Sequence, residues 1–126
     1  MKLTPNFSKS EFDCRDGSEM PSDVLDNVKE LAKNLQVIRD EIGKSIHVNS
    51  GYRSPSYNKK IGGATRSQHL LGNAADLRVN GMKPSELHKV ILRLIKGKKI
   101  SEGGVGLYRT FVHYDIRGRK ARWNFA

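Results

Sequence analysis

Ser67-Gln68-His69-Leu70-Leu71-Gly72-Asn73-Ala74-Ala75-Asp76 places an imidazole seven residues before a carboxylate, with a turn-permitting glycine and two alanines between them. A loop ending in His69 can fold back at Gly72 and enter a strand carrying Asp76, which turns both side chains toward one point. The small side chains of Ala74 and Ala75 let that strand approach its neighbours closely. A later segment, Thr110-Phe111-Val112-His113-Tyr114-Asp115, offers another imidazole in His113 from a neighbouring strand. Two imidazoles and one carboxylate suit zinc, and three protein ligands leave a fourth tetrahedral position open, as catalytic zinc sites do and structural ones do not. On spacing alone, a polar loop lying beside a sheet accounts for the same residues.

Working outward, Val24, Leu25, Val28, Leu31, Ala32, Leu35, Ile38 and Ile42 recur at three- and four-residue steps after Pro21-Ser22-Asp23. That predicts an amphipathic helix capped by Ser22 and closed by Gly43. Ser45 to Ser50 alternates as a short strand ended by Gly51, and Ser54-Pro55-Ser56 opens a short helix through Lys60 that Gly62-Gly63 stops. Ala74 to Val79 reads as a strand turning at Asn80-Gly81. Pro84-Ser85-Glu86 opens another helix, with Leu87, Val90, Ile91, Leu94 and Ile95 on one face. Gly103 to Tyr108 and Phe111 to Arg117 are the last strand candidates, paired as a hairpin around Tyr108-Arg109-Thr110. Asn6 to Glu19 reads as irregular chain or a short helical turn. Helices that precede, interrupt and alternate with strands predict a small α+β fold with a mostly antiparallel sheet and packed helices.

The 126 residues contain no repeat and no Pro/Gly-rich linker, so residues 1–126 are expected to form a single domain. At 37% hydrophobic and 29% charged, the chain is too apolar for disorder, and no apolar run approaches the length of a spanning helix. Cys14 is the sole cysteine, which excludes an internal disulfide and reads as an inert thiol. Lys and Arg number 23 against 13 Asp and Glu, a net charge of +10 that favours polyanionic partners. Acidic residues dominate Glu11 to Asp26, whereas Arg109, Arg117, Arg119, Lys120 and Arg122 face only Asp115 in their segment. No nucleic-acid-binding motif accompanies the charge. The opening Met1 to Phe12 lacks the apolar core and cleavage site of a secretory signal.

Ser67-x-His69-x-x-Gly72-x-Ala74-x-Asp76 followed by His113 resembles the zinc D-alanyl-D-alanine carboxypeptidases and their phage endolysin relatives, peptidoglycan metallopeptidases of hedgehog-like fold. The resemblance extends to Ser50-Gly51-Tyr52-Arg53-Ser54-Pro55 with Tyr57-Asn58, to Asn6-Phe7-Ser8 with Glu11-Phe12, and to Phe111 through Gly118, nearly the whole chain. It implies zinc held by His69, Asp76 and His113. It also implies that Arg53 holds a carboxylate or carbonyl of a peptide substrate, a task suited to a planar, permanently charged fork of donors. Ser67 is expected to contact substrate or to fix its loop.

The pattern departs from these relatives at Thr110, where many carry a carboxylate three residues before the last zinc histidine. The general base then falls to Asp115, which leaves the same strand face as His113, or to Glu102 from a loop. Asp115 is favoured slightly, although Arg117 shares its face and can pair with it. His47 is a further candidate for stabilising charge near the metal, and His88 reads as a surface residue.

The function implied is zinc-dependent hydrolysis of a peptidoglycan stem or cross-link containing D-amino acids, in which a carboxylate takes a proton from water and passes it to the leaving amine. The rival reading is a zinc-containing wall-binding or phage structural module without turnover. Anionic cell-wall polymers are the expected partners of the basic surface, nucleic acid and a membrane span are not, and a monomer is expected. Cytoplasmic synthesis followed by phage-type release to the wall is the expected localisation.

Overall fold

The computed structural model describes residues 1–126. A hairpin of β1 (Lys2–Thr4) and β2 (Phe7–Ser8) precedes a short 3-10 turn at Lys9–Phe12, and then comes α1 (Ser22–Ile42). β3 (His47–Ser50), the short α2 (Pro55–Lys60), β4 (Ala74–Arg78) and α3 (Pro84–Lys96) follow. The chain closes with β5 (Gly104–Leu107), β6 (Val112–Asp115) and β7 (Ala121–Asn124). The main sheet runs β3-β4-β6-β5-β7, antiparallel except for the parallel β5–β7 pair. This is the predicted α+β class. No helix is long and apolar enough to cross a membrane.

Period-two alternation gives the sheet two different faces. Ala75, Leu77, Val105, Val112 and Tyr114 are all fully buried and join the residues of α1 and α3 in one hydrophobic cluster. α1 contributes Val28, Leu31, Leu35 and Ile38, and α3 contributes Leu87, Ile91 and Leu94, the apolar stripes read from their spacing. Between the apolar positions of β4 and β6 stand Asp76, His113 and Asp115, directed to the opposite face. α1 begins one residue from the expected cap: Ser22 is already helical and Pro21 occupies the cap position without a side-chain acceptor. It ends at Gly43 as expected, in the left-handed conformation.

Strands β1, β2 and β7 are additions to the predicted set. Ala121-Arg122-Trp123-Asn124 alternates apolar and polar side chains over only four residues, and it becomes a strand by pairing along β5. That pairing completes a row across the whole sheet, because Ser50 pairs with Asp76, Asp76 with His113, His113 with Gly106 and Gly106 with Trp123. The row explains Gly106. A Cβ there would collide with the indole of Trp123, which lies over the glycine and brings its ring 5.0 Å from that of His113. Gly106→Ala is therefore expected to lift Trp123 off His113 and to destabilise the fold by about 1–3 kcal/mol. Thermal unfolding measures the second effect and the fluorescence of the sole tryptophan reports the first; unchanged values of both would contradict the packing described.

Candidate metal centre

His69 reaches the sheet from a 3-10 turn, Gln68–Leu71, and two local features hold that turn. Ser67 Oγ accepts the His69 backbone N–H at 3.2 Å, and Gly72 closes the turn with a φ of +76°. Gly72 also abuts α1: a Cβ there would stand 2.7 Å from Val24 Cγ1. Only glycine satisfies both the backbone conformation and the close approach. The backbone of the same turn bonds to the next loop, Arg53 N–H donating to the His69 carbonyl at 3.0 Å.

The direction of each imidazole follows from its outer partner. His69 Nδ1 lies 2.7 Å from the Gly51 carbonyl, which can only accept, so Nδ1 carries the proton and Nε2 turns its lone pair inward. His113 Nε2 lies 2.6 Å from Asp115 Oδ2, so that N–H donates to the carboxylate and Nδ1 faces inward. Asp76 Oδ1 stands between them, 3.3 Å from His69 Nε2 and 3.1 Å from His113 Nδ1. One ligand atom from each of the three residues lies within 4.8 Å of the others, and all three side chains are buried.

Three inward-facing acceptors repel one another unless a cation sits among them, and two imidazoles with a carboxylate match a divalent ion of the zinc type. In the metal-free chain the cluster favours a proton in that place. Burial alone pushes the His113 pKa down, but hydrogen bonds to Asp115 and Asp76 outweigh it and hold the imidazole above its ordinary value. Burial likewise pushes Asp76 up, yet the bonds from His113 and His69 keep its carboxyl well below the usual carboxylate range. The donor set fits a metal.

Asp115 lies outside the cavity next to the cluster. It is fully buried, and beyond His113 it accepts from Gly104 N–H at 2.8 Å and from Arg117 through backbone N at 3.2 Å, Nε at 2.9 Å and Nη2 at 2.7 Å. Burial raises its pKa, and the bonds from His113 and Arg117 more than reverse that, so the carboxyl stays well below the usual range. Glu102 is directed elsewhere. It accepts from Arg122 Nη2 at 2.9 Å and lines a separate cavity with His88, Lys96 and Lys120. Neither carboxylate expected to take a proton from water therefore faces the metal cavity, because the strand face that Asp115 shares with His113 directs it to the far nitrogen of that imidazole. Thr110 stands exposed on the β5–β6 turn, and His47 is exposed at the end of β3 remote from Ser50. Cys14 is buried, its sulfur accepting from Ser54 N–H at 3.3 Å.

The cavity over the cluster measures about 600 Å³ and Asp76 is the one carboxylate in its lining. Arg53, Arg66 and Arg117 supply positive charge around it. Arg53 reaches Asp76 Oδ2 at 3.4 Å, Ser50 Oγ at 3.3 Å and Asn58 Oδ1 at 3.4 Å, so it steadies the outer carboxylate oxygen while facing the cavity. Ser67 lines the cavity too, with its oxygen already engaged by the His69 amide. An aromatic wall of Tyr108, Phe111, Trp123 and Phe125 completes the lining. Tyr108 and Trp123 escaped the sequence reading. The available signal was the lone tryptophan two residues before Phe125, but nothing local ties that segment to residue 113.

Residues 5–115 match the family model described as Peptidase M15, a span that takes in His69, Asp76, His113 and Asp115. The chain belongs to the Peptidase M15 family. Within this M15 chain, 44 residues, 34% of its length, are 50% identical to the zinc D-Ala-D-Ala carboxypeptidase of Streptomyces albus G. The match spans only 17% of that relative's length. The family match ends at residue 115, so Trp123 and Phe125 of the aromatic wall lie beyond it.

Proposed function

We propose that this M15 protein is a zinc peptidase that hydrolyses peptide bonds involving D-amino acids in bacterial peptidoglycan. The observation that carries the reading is the convergence of His69 Nε2, Asp76 Oδ1 and His113 Nδ1, with the outer nitrogen of each imidazole tied to an acceptor. Those three residues would hold the zinc. Bound there, zinc supplies Lewis acidity toward the peptide carbonyl and makes water a competent nucleophile near neutral pH. In the net reaction the oxygen of water bonds to the carbonyl carbon, the C–N bond breaks, and a proton from the water ends on the departing amine.

The chain's own residues bind and orient. Arg53 and the exposed Arg66, which has no acidic partner, set positive charge on the cavity where a peptide carboxylate would dock. Asp115 acts as a positioning residue, holding the His113 ring by its far N–H as outer-shell carboxylates do in metal sites. Ser67 acts on the loop through the His69 amide. The net charge of +10 would concentrate the protein on anionic wall polymers, an attraction that salt weakens.

A zinc-containing wall-binding module without turnover is the second reading, favoured by the lack of any carboxylate other than Asp76 in the cavity. Metal analysis before and after chelation, with peptidoglycan digestion of both samples followed by mass spectrometry, separates the two. The zinc-loaded protein is expected to release stem-peptide fragments or D-alanine, the chelated protein to release none, and restored zinc to restore release. Zinc uptake and wall binding without any release would establish the module instead.

A further inference from the structure

Trp123 Nε1 lies 2.9 Å from Tyr108 Oη, and the roles in that bond are not interchangeable. An indole N–H only donates, so the phenol oxygen accepts and its own proton points elsewhere. Tyr108 Oη makes no other hydrogen bond within the protein, and the residue lines the cavity shared by His69, Asp76 and His113. The ring is clamped. It stacks on Phe111 at 4.3 Å with planes 10° apart, and Phe125 closes on it at 5.5 Å. Trp123 is held in turn by the open space over Gly106, by the His113 ring at 5.0 Å and by the Arg117 guanidinium 5.7 Å from its centroid. A single side chain thus links the hydroxyl to a metal-cluster histidine.

Such an arrangement has a chemical use. When water adds to a peptide carbonyl, the oxygen gains negative charge, and a donor fixed in place beforehand stabilises that charge without reorganising. Asp76 cannot donate while ionised, Arg117 is committed to Asp115, and Arg53 and Arg66 are the donors assigned above to the peptide carboxylate. We propose that Tyr108 is a catalytic residue whose hydroxyl, oriented by Trp123, donates a hydrogen bond to the carbonyl oxygen of the scissile peptide bond as that oxygen becomes negative. This rests on the zinc-peptidase reading and adds a residue to it.

Tyr108→Phe keeps the ring and its stacking while removing the donor. With a D-Ala-D-Ala-terminated stem peptide as substrate, kcat is expected to fall about a hundredfold, the scale of removing one oxyanion donor. KM should stay within about twofold, since ground-state binding loses little. Zinc content and melting temperature should be unchanged. A phosphinate analogue of the tetrahedral species should bind Tyr108→Phe about a hundredfold more weakly, while affinity for the uncleaved peptide stays the same. Trp123→Phe leaves the hydroxyl but not its orienting donor, and should lower kcat by a smaller factor. Equal kcat and equal phosphinate affinity in wild type and Tyr108→Phe would overturn the assignment and reduce Tyr108 to a wall of the cavity. A wild-type protein that is zinc-loaded yet inert toward the peptide would overturn the peptidase reading itself, so the two failures are distinguishable.

Discussion

Asp76→Ala is expected to weaken zinc binding by about a thousandfold and to remove peptide hydrolysis at ordinary zinc concentrations. The size follows from what the carboxylate does. It is buried, it stands between two imidazole nitrogens at 3.3 and 3.1 Å, and its other oxygen meets Arg53 at 3.4 Å. Removing the anion leaves a dication and a guanidinium facing each other across the site with no compensating charge. Breaking a buried charge pair costs about 3–5 kcal/mol, and about 4 kcal/mol corresponds to three orders of magnitude in affinity. Competition titration against a chromophoric zinc chelator measures this directly. Wild-type zinc affinity in Asp76→Ala would place the metal elsewhere and dissolve the site.

Asp115→Asn should damage both the fold and the metal site, and the way it does so tells a positioning role from a direct one. The carboxylate accepts from His113, Arg117 and the Gly104 amide while wholly shielded from water. An amide of the same shape must turn an NH₂ toward one of those donors, so one bond becomes a repulsion and Arg117 loses its counter-charge. Loss of a buried partner of this kind costs about 3 kcal/mol or more, on the order of 10 °C in melting temperature for a chain this size. Zinc affinity should fall about 10- to 100-fold, the usual effect of removing a carboxylate behind a metal-bound histidine. If Asp115 acts only through His113, saturating zinc recovers most of kcat. A rate loss that persists at saturating zinc would instead mean that Asp115 handles the proton, as its position two residues after His113 had suggested.

That contrast shows where sequence reading stops. The alternation of Val112-His113-Tyr114-Asp115 correctly put His113 and Asp115 on one face. It could not say whether a carboxylate on that face meets the inner or the outer nitrogen of the imidazole. The answer depends on Gly104 and Arg117 approaching Asp115 from one side while Asp76 approaches His113 from the other. Glu102 was reachable on paper for the same reason, as a loop residue near the right strands, and Arg122 draws it to a different cavity. The aromatic wall was invisible because β7 alternates over only four residues and nothing local ties it to β5.

The amino-acid order by itself determined the helices α1 and α3, the glycine at the turn after His69, and the strand character around Asp76 and His113. These rest on local physics: periodicity and backbone freedom act over a few residues. Tertiary structure alone decided that Ser50, Asp76, His113, Gly106 and Trp123 stand in one row, that Asp115 backs the histidine, and that Trp123 turns the hydroxyl of Tyr108. Register between strands far apart along the chain sets those neighbours, and a slip of one residue would send each side chain to the opposite face.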